Sequence, residues 1–403
     1  MLPFSETEIE RRQAQACDYM AANGMDAVVA TSFPNVYYLS GAPLHQFGRP
    51  GALILPRDGE ATFLISILEG PHVERQSNVR DLRFYCDHNI SDSYASPQPP
   101  LTSFLELLKT AFHDHGLEDA TIAYEDHWLP AAHLEAIKQQ LPRLTLVAGS
   151  KWMDRHRMVL SEEEQALVRA ADDIAEAGQL ALLSELKPGI KPRELDRVCR
   201  DAMDDAAARL YPDKPYVNLA RSGLEDDSGK WPGHCDWVYG GETPAAAKGM
   251  VLNGVFDCFL WAYWGNVERA VSVGEPQGDV RNALEAVVEA NEAAIKAVRP
   301  GVSVASVDAA AKEVLTDRGY GNTGFGSGCG RGIVSHENWA RFLPLDVRLY
   351  NEVILEPGMA VSIEPMIGDA RKYPYRHCNT VFVTRDGCEV HSQVDRGVLW
   401  VEA

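Results

Sequence analysis

The sequence predicts an α/β (α+β) chain of two domains, an N-terminal α/β domain over residues 1–155 and a C-terminal domain over residues 156–403 built on an internal duplication. Three observations predict it. A chain of 403 residues exceeds what a single hydrophobic core organises comfortably. Up to about residue 155, short apolar runs of strand composition alternate with helix-like segments. Beyond that point the texture changes, and a helix, a basic-Pro-Gly turn and a second helix occur twice, at Leu186-Lys187-Pro188-Gly189-Ile190 and at Val298-Arg299-Pro300-Gly301-Val302.

In order, residues 6–23 place apolar side chains at helical spacing and stop at Gly24. Asp26-Ala27-Val28-Val29-Ala30-Thr31 has strand composition and length, as do Gly51-Ala52-Leu53-Ile54-Leu55, bounded by Pro56, and Ala61-Thr62-Phe63-Leu64-Ile65. Helices are predicted near 100–115 and 131–141, the second stopped by Pro142, with strands at Thr121-Ile122-Ala123-Tyr124 and Leu144-Thr145-Leu146-Val147. Ser161-Glu162-Glu163-Glu164 has capping-box spacing, in which the Ser hydroxyl and the Glu three residues on each satisfy a free amide of the first turn. The long helix that follows runs to Lys187-Pro188-Gly189. Helices at 192–207, 278–297 and 305–318 complete the two pairs, and strands at 250–260 and 359–367 follow the pairs at similar offsets. A duplication of this kind brings the two strands together around a shared pocket.

Hydrophobic residues at 45% and charged residues at 24% are ordinary for a globular protein. No apolar run approaches the roughly 18 residues that span a bilayer, and the first residues lack a basic stretch followed by an apolar one. A cytoplasmic protein is expected. A formal charge of -20 argues against binding nucleic acid or an anionic membrane, since phosphate neutralisation requires clustered Lys and Arg, so neither is an expected partner. The 8 cysteines are scattered without a Cys-x-x-Cys pair and read as reduced thiols.

Several segments together carry a resemblance. The Lys-Pro-Gly and Arg-Pro-Gly turns, Leu355-Glu356-Pro357-Gly358-Met359, Val361-Ser362-Ile363-Glu364-Pro365-Met366-Ile367 and the closing Thr380-Val381-Phe382-Val383-Thr384 resemble the pita-bread family of methionine aminopeptidase, prolidase, aminopeptidase P and creatinase. Thr31-Ser32-Phe33-Pro34-Asn35-Val36-Tyr37-Tyr38 and Phe47-Gly48-Arg49-Pro50 resemble the creatinase N-terminal domain, and Ser335-His336 with Arg341 resembles its active-site loop. The resemblance implies an N-terminal creatinase-type α/β domain and a C-terminal pita-bread domain.

Metallopeptidases of that family hold two divalent ions with two Asp, one His and two Glu, because hard cations need several anionic oxygens. The matching positions here are Asp257, Asn266, Cys329, Glu364 and His377, so neutral Asn and His stand where two of the carboxylates are expected and soft Cys where the His is. The creatinase branch also lacks a metal, and the resemblance therefore implies no cofactor. A remade zinc site from Cys329, Glu364, His377 and Asp257 is the alternative, since these donor types suit zinc.

The resemblance further implies roles. His234 corresponds to the catalytic proton shuttle, for which an imidazole with a pKa near 6.5 is suited. Glu268 and Glu364 match carboxylates that clasp a guanidinium through charge-assisted hydrogen bonds. Arg49 and Arg341 match the groups that bind a substrate carboxylate, with Arg49 supplied by the second subunit of a homodimer, while Phe47 and His377 occupy substrate-contact positions. Trp264 belongs to an aromatic-rich stretch with Trp231, Trp237, Tyr239, Trp261 and Tyr263, which packs as core or cages a trimethylammonium or sulfonium group by cation–π attraction. The expected activity is metal-independent hydrolysis of a C–N bond in a small zwitterion such as creatine. The alternatives are a metal-dependent Xaa-Pro aminopeptidase or prolidase, and a lyase or non-catalytic binder of a quaternary ammonium or sulfonium compound.

Overall fold

The computed structural model describes residues 4–42, 49–88, 100–212, 222–226, 244–321, 326–333, 345–367 and 375–403. The chain divides into two compact units, Met1–Arg157 and Met158–Ala403.

In the first unit, helix α1 (Glu6–Ala22) begins where the Ser5 hydroxyl accepts the Glu8 amide. It leads to β1 (Ala27–Ala30), α2 (Phe33–Ser40), β2 (Ala52–Pro56), β3 (Thr62–Ser66), α3 (Gly70–Gln76) and β4 (Asp81–Tyr85). After these come α4 (Phe104–Asp114), β5 (Thr121–Tyr124), α5 (Ala131–Gln140), β6 (Thr145–Ala148) and α6 (Ser150–His156). The strands form one mixed sheet of order β4-β3-β2-β1-β5-β6. Strands β1, β2 and β3 are buried along their whole length, which is why they read as unbroken apolar runs rather than as an alternating pattern. Helix α2 starts on Ser32, and the buried Glu125 beyond β5 ties that turn down by accepting the Ser32 amide at 2.6 Å and the Asn35 side-chain amide at 2.5 Å.

The second unit opens with α7 (Glu162–Glu185), in which Ser161 and Glu164 form the expected capping box. Helix α8 (Pro192–Leu210) follows, then β7 (Ser222–Asp226) and a long hairpin of β8 (Val251–Leu260) and β9 (Tyr263–Val273). The second pair, α9 (Gly278–Ala297) and α10 (Val304–Asp317), is followed by the hairpin of β10 (Ala360–Ile363) and β11 (Asn379–Val383), with β12 (Cys388–Val390) and β13 (Leu399–Val401) last. Strand β10 stops at Ile363, short of the expected 367, because Pro365 has no amide to donate to a ladder.

The duplication extends to individual hydrogen bonds. Gly189, with φ 91°, donates to Ala246 O, and Ala246 donates back to Ile190 O. Gly301, with φ 83°, donates to Leu355 O, and Leu355 donates back to Val302 O. Both glycines hold left-handed conformations closed to most side chains, which explains the repeated Pro-Gly. The same match continues from Gly249 N to Val273 O in one half and from Gly358 N to Val383 O in the other. Measured back from Val273 and Val383, Glu268 and Cys378 occupy equivalent places, and these two residues pair with each other: Cys378 N donates to Glu268 O at 3.0 Å. The hairpins of the two halves thus meet at one backbone bridge.

Gly265 in β9 lies against α7, where a Cβ atom would fall 2.3 Å from the Ala171 carbonyl carbon and from the Asp172 nitrogen. Backbone on both sides leaves no side chain to move aside. Gly265→Ala is therefore expected to lower the unfolding free energy by about 3 kcal/mol or more, measured by urea denaturation, through overpacking of the helix–sheet contact.

Candidate active site

Strand alternation selects the residues that face one another across this bridge. Opposed residues of an antiparallel pair share a face, and their sequence neighbours point to the other. Asp257 lies opposite Asn266 and Val255 opposite Glu268, so Asp257, Asn266 and Glu268 share one face of the first hairpin. In the second hairpin Ser362 lies opposite Thr380 and Ile363 opposite Asn379, which puts Glu364 and Cys378 on the Ser362–Thr380 side. The Glu268–Cys378 bridge joins these faces into one.

The site is dense in buried charge. The Asn266 side-chain amide donates to Asp257 Oδ1 and, at 3.0 Å, to Glu268 Oε1, while its backbone amide donates to Asp172 Oδ1 at 2.9 Å. Thr380 Oγ1 donates to the same Asp172 oxygen at 2.9 Å. Two arginines enter this acidic space. Arg376 lies with Nη1 3.5 Å from Glu364 Oε1 and Nε 3.7 Å from Glu268 Oε2. Arg331, itself buried, reaches the sulfurs of Cys378 at 3.6 Å and Cys329 at 3.9 Å and Thr380 Oγ1 at 3.4 Å.

Burial and mutual repulsion decide the protonation of these groups. Burial raises the Glu268 carboxyl well above the ordinary carboxylate range, and the charge of Glu364 raises it further against the pull of Arg376. Asp172 is raised by burial to about 6, with Arg331 opposing. The Cys378 thiol is pushed up by burial and by Glu364. For Arg331, burial disfavours the charge, but Cys329, Cys378, Asp172 and Glu364 outweigh it and the group holds its proton more firmly than in water.

The segment from Ser327 to Gly332 is held against β10 by a close backbone approach. Gly328 has φ 140°, and a Cβ there would fall 1.9 Å from Ser362 O, so no other residue fits. The Cys329 amide donates to Ser362 Oγ at 2.8 Å, and the Ser362 amide donates to Cys329 O at 2.7 Å. Glu364 is fixed similarly, its amide donating to Ser327 O at 2.7 Å.

His377 does not belong to the site: with Asn379 it faces the opposite side of the strand, where burial and the charges of Arg269 and Arg396 lower its pKa well below the ordinary value. Cys378 takes the place assigned to it, a one-residue slip that exchanges the faces. Consequently Cys329, Glu364 and His377 do not converge into a zinc site, and among the described residues no group of three or more His, Cys, Asp or Glu side chains is placed to hold a metal ion. The aromatic stretch divides. Tyr263 is core, its hydroxyl bonded to Glu164 at 2.7 Å, and Trp264 packs edge-on against Phe259 across the hairpin at 4.1 Å. Trp261 and Ala262 make the two-residue turn, both at positive φ, which accounts for the short spacing between Asp257 and Asn266. Among the other expected site residues, Arg49 belongs to the first unit, and His234, Phe47 and Arg341 lie outside the described residues.

The resemblance implies a divalent pair for metallopeptidases, and the donor set bears on whether one fits here. Asn266 Oδ1 and Glu268 Oε2 are buried without a hydrogen-bond partner among the described residues, and such oxygens could face a cation. The set as a whole does not fit a dinuclear pair: Asn266 offers only a neutral oxygen, Cys329 and Cys378 carry no carboxylate, and Arg331 and Arg376 bring two fixed positive charges to the same space. Sequence reasoning missed Asp172, Arg331, Arg376 and Cys378. The available signal was period-2 alternation from Thr380, which assigns Cys378 rather than His377 to the inner face.

Residues 166–385 match metallopeptidase family M24, and residues 12–159 match the creatinase/prolidase N-terminal domain. The chain is 26% identical to creatinase of Bacillus sp. strain B-0618 over 394 residues, covering 96% of this chain and 90% of that protein. It is 25% identical to a Xaa-Pro dipeptidase of Pyrococcus horikoshii over 385 residues, covering 95% and 97%. The crystal structure of dipeptidase PepE from Mycobacterium ulcerans superposes with a TM-score of 0.78 at 25% identity, covering 99% of this chain and 100% of that one. The expected pita-bread architecture and creatinase-type N-terminal domain are borne out, and this chain belongs to metallopeptidase family M24.

Proposed function

We propose that this chain is a hydrolase that cleaves a C–N bond of a small zwitterionic substrate with side chains rather than with a dinuclear metal centre. The observation that carries the reading is the replacement of ligand chemistry by Asn266, Cys329 and Cys378, with Arg331 and Arg376 set among the carboxylates. Similarity to creatinase over nearly the whole chain supports it.

In this reading Glu268, kept protonated by burial and by its neighbour Glu364, is the proton donor nearest a leaving nitrogen. Glu364 is 21% exposed and is the carboxylate open to a substrate cation. His234 serves as the second proton carrier, and Arg49 with Arg341 binds the substrate carboxylate, Arg49 coming from the partner subunit of a cytoplasmic homodimer. Among the described residues no helix is long and apolar enough to cross a membrane.

A second reading, a metal-dependent Xaa-Pro dipeptidase, is favoured by the relatives that carry that name and by the family's own designation. The donor set weighs against it. Hydrolysis of creatine and of Xaa-Pro dipeptides, measured with and without a chelator, separates the two.

The purified protein is expected to contain less than one divalent metal per chain by elemental mass spectrometry and to keep its turnover in a chelator. Stoichiometric metal with chelator-sensitive dipeptide cleavage would reverse the choice. His234→Ala is expected to lower kcat by about 100-fold to 10,000-fold, the usual contribution of a general acid–base; near-normal turnover would remove the proton carrier. Asn266→Asp, which puts back a metallopeptidase ligand, is expected to destabilise by about 3 kcal/mol at pH 8, because an amide serving two carboxylates becomes another carboxylate. The buried neighbours raise the pKa of the introduced acid in the folded state, so its penalty applies above that pKa and fades as the pH falls through it. Denaturant unfolding at pH 5 and pH 8 reads the difference.

A further inference from the structure

The side chains that face the site are carried by strands whose other face points away from it. Arg269 follows Glu268 in β9 and so lies on that rear face, as does Asn379 of β11. The Arg269 side chain is fully buried, and all five of its N–H groups are used. Nη1 donates to Glu268 O at 2.8 Å and to Cys378 O at 2.7 Å, Nη2 to Asn379 Oδ1 at 2.8 Å and to Val394 O at 3.3 Å, and Nε to Asp395 O at 3.1 Å. A buried cation is ordinarily matched by a carboxylate. Here every acceptor is a neutral oxygen, an arrangement that ties chain segments together rather than one that neutralises charge.

Asn291, buried in α9, treats the second hairpin in the same way. Its side-chain amide donates to Ile363 O and to His377 O, each at 2.8 Å, and its Oδ1 accepts the Asn379 side-chain amide at 2.9 Å. The Ile363 carbonyl belongs to the peptide unit that leads into Glu364, and the His377 carbonyl to the one that leads into Cys378. Asn379 links the two anchors into one chain, Arg269–Asn379–Asn291. We propose that Arg269 and Asn291 are positioning residues, a rear lock that fixes the peptide planes of Glu268, Glu364 and Cys378 and with them the register in which the two hairpins present their site-facing side chains. The inference rests on the roles given above to Glu268 and Glu364, and it leaves Glu268 protonated, since the lock holds its carbonyl and not its carboxyl.

Strand pairing alone holds the bridge unevenly. Cys378 N donates to Glu268 O at 3.0 Å, but the return bond from Glu268 N to Cys378 O is 3.5 Å. Nη1 of Arg269 adds two shorter bonds to the same two carbonyls. A slip of one residue at the bridge would turn those carbonyls away from Nη1 and exchange the faces of the strand, putting His377 where Cys378 stands. A lysine cannot replace this lock, because a single ammonium has three donors and no planar fork.

The test compares the full chain as the wild type, Arg269→Lys and Asn291→Ala by amide hydrogen exchange and by steady-state kinetics on creatine and a Xaa-Pro dipeptide. Both variants are expected to speed exchange at least about tenfold in the segments around Glu268 and Cys378 while leaving α8 of the same unit as in the wild type. Both are expected to lower kcat about 100-fold with KM within about threefold, the mark of reacting groups displaced from their places. Exchange around Glu268 and Cys378 that stays within about twofold of the wild type, or that rises equally in α8, overturns the inference, as does an unchanged kcat with the bridge opened. Should one variant not fold, the other is read against the same criteria. A wild type that turns over neither substrate tells against the proposed function, and the exchange comparison alone then decides the lock.

Discussion

Burying several carboxylates at one sheet junction is the constraint around which the second unit is organised. Asp172, Asp257 and Glu268 are each less than a tenth exposed, and Glu364 adds a fourth acid beside them. Left alone, such a group would protonate throughout or unfold the junction. The chain answers in three ways: an amide from Asn266 shared between two acids, a guanidinium buried against thiols and Thr380, and a second guanidinium beside Glu268 and Glu364. Metallopeptidases of the family resemblance answer the same problem with divalent ions. In this chain Arg331 and Arg376 bring positive charge to the same space.

The supporting frame explains how these groups reach one place. Each half contributes a helix pair, a left-handed glycine turn and a hairpin, and the matching hydrogen bonds run through Gly189 and Gly301, Ala246 and Leu355, Val273 and Val383. Because the halves repeat, the residues that meet at their junction are equivalents of one another, and Glu268 faces Cys378. Helix α7 adds Asp172 from the outside, and the absent side chain at Gly265 lets it approach closely enough to accept the Asn266 amide.

Much of this frame could be read from the residues alone. The unbroken apolar runs of β1, β2 and β3, the capping box at Ser161 and Glu164, and the paired Pro-Gly turns are local signals, set by neighbours in sequence, and each corresponds to an observed element. Glu268 and Glu364 were identified through resemblance and do lie together. What was not legible depends on long-range partners. Strand β9 hides its edges because Trp261 and Ala262 make an unusual turn without glycine. The assignment of His377 failed by one residue, which in a strand is the whole difference between two faces. Arg331 and Arg376 look like ordinary surface charges until the junction closes around them.

The bridge between Glu268 and Cys378 has a mechanical consequence. The hairpins of the two halves are stitched by a reciprocal backbone pair at Glu268 and Cys378, with Glu364 one residue past β10. A slide of one half against the other would not be absorbed by a distant loop. It would change the gap between Glu268 and Glu364, because the bridge sits beside both.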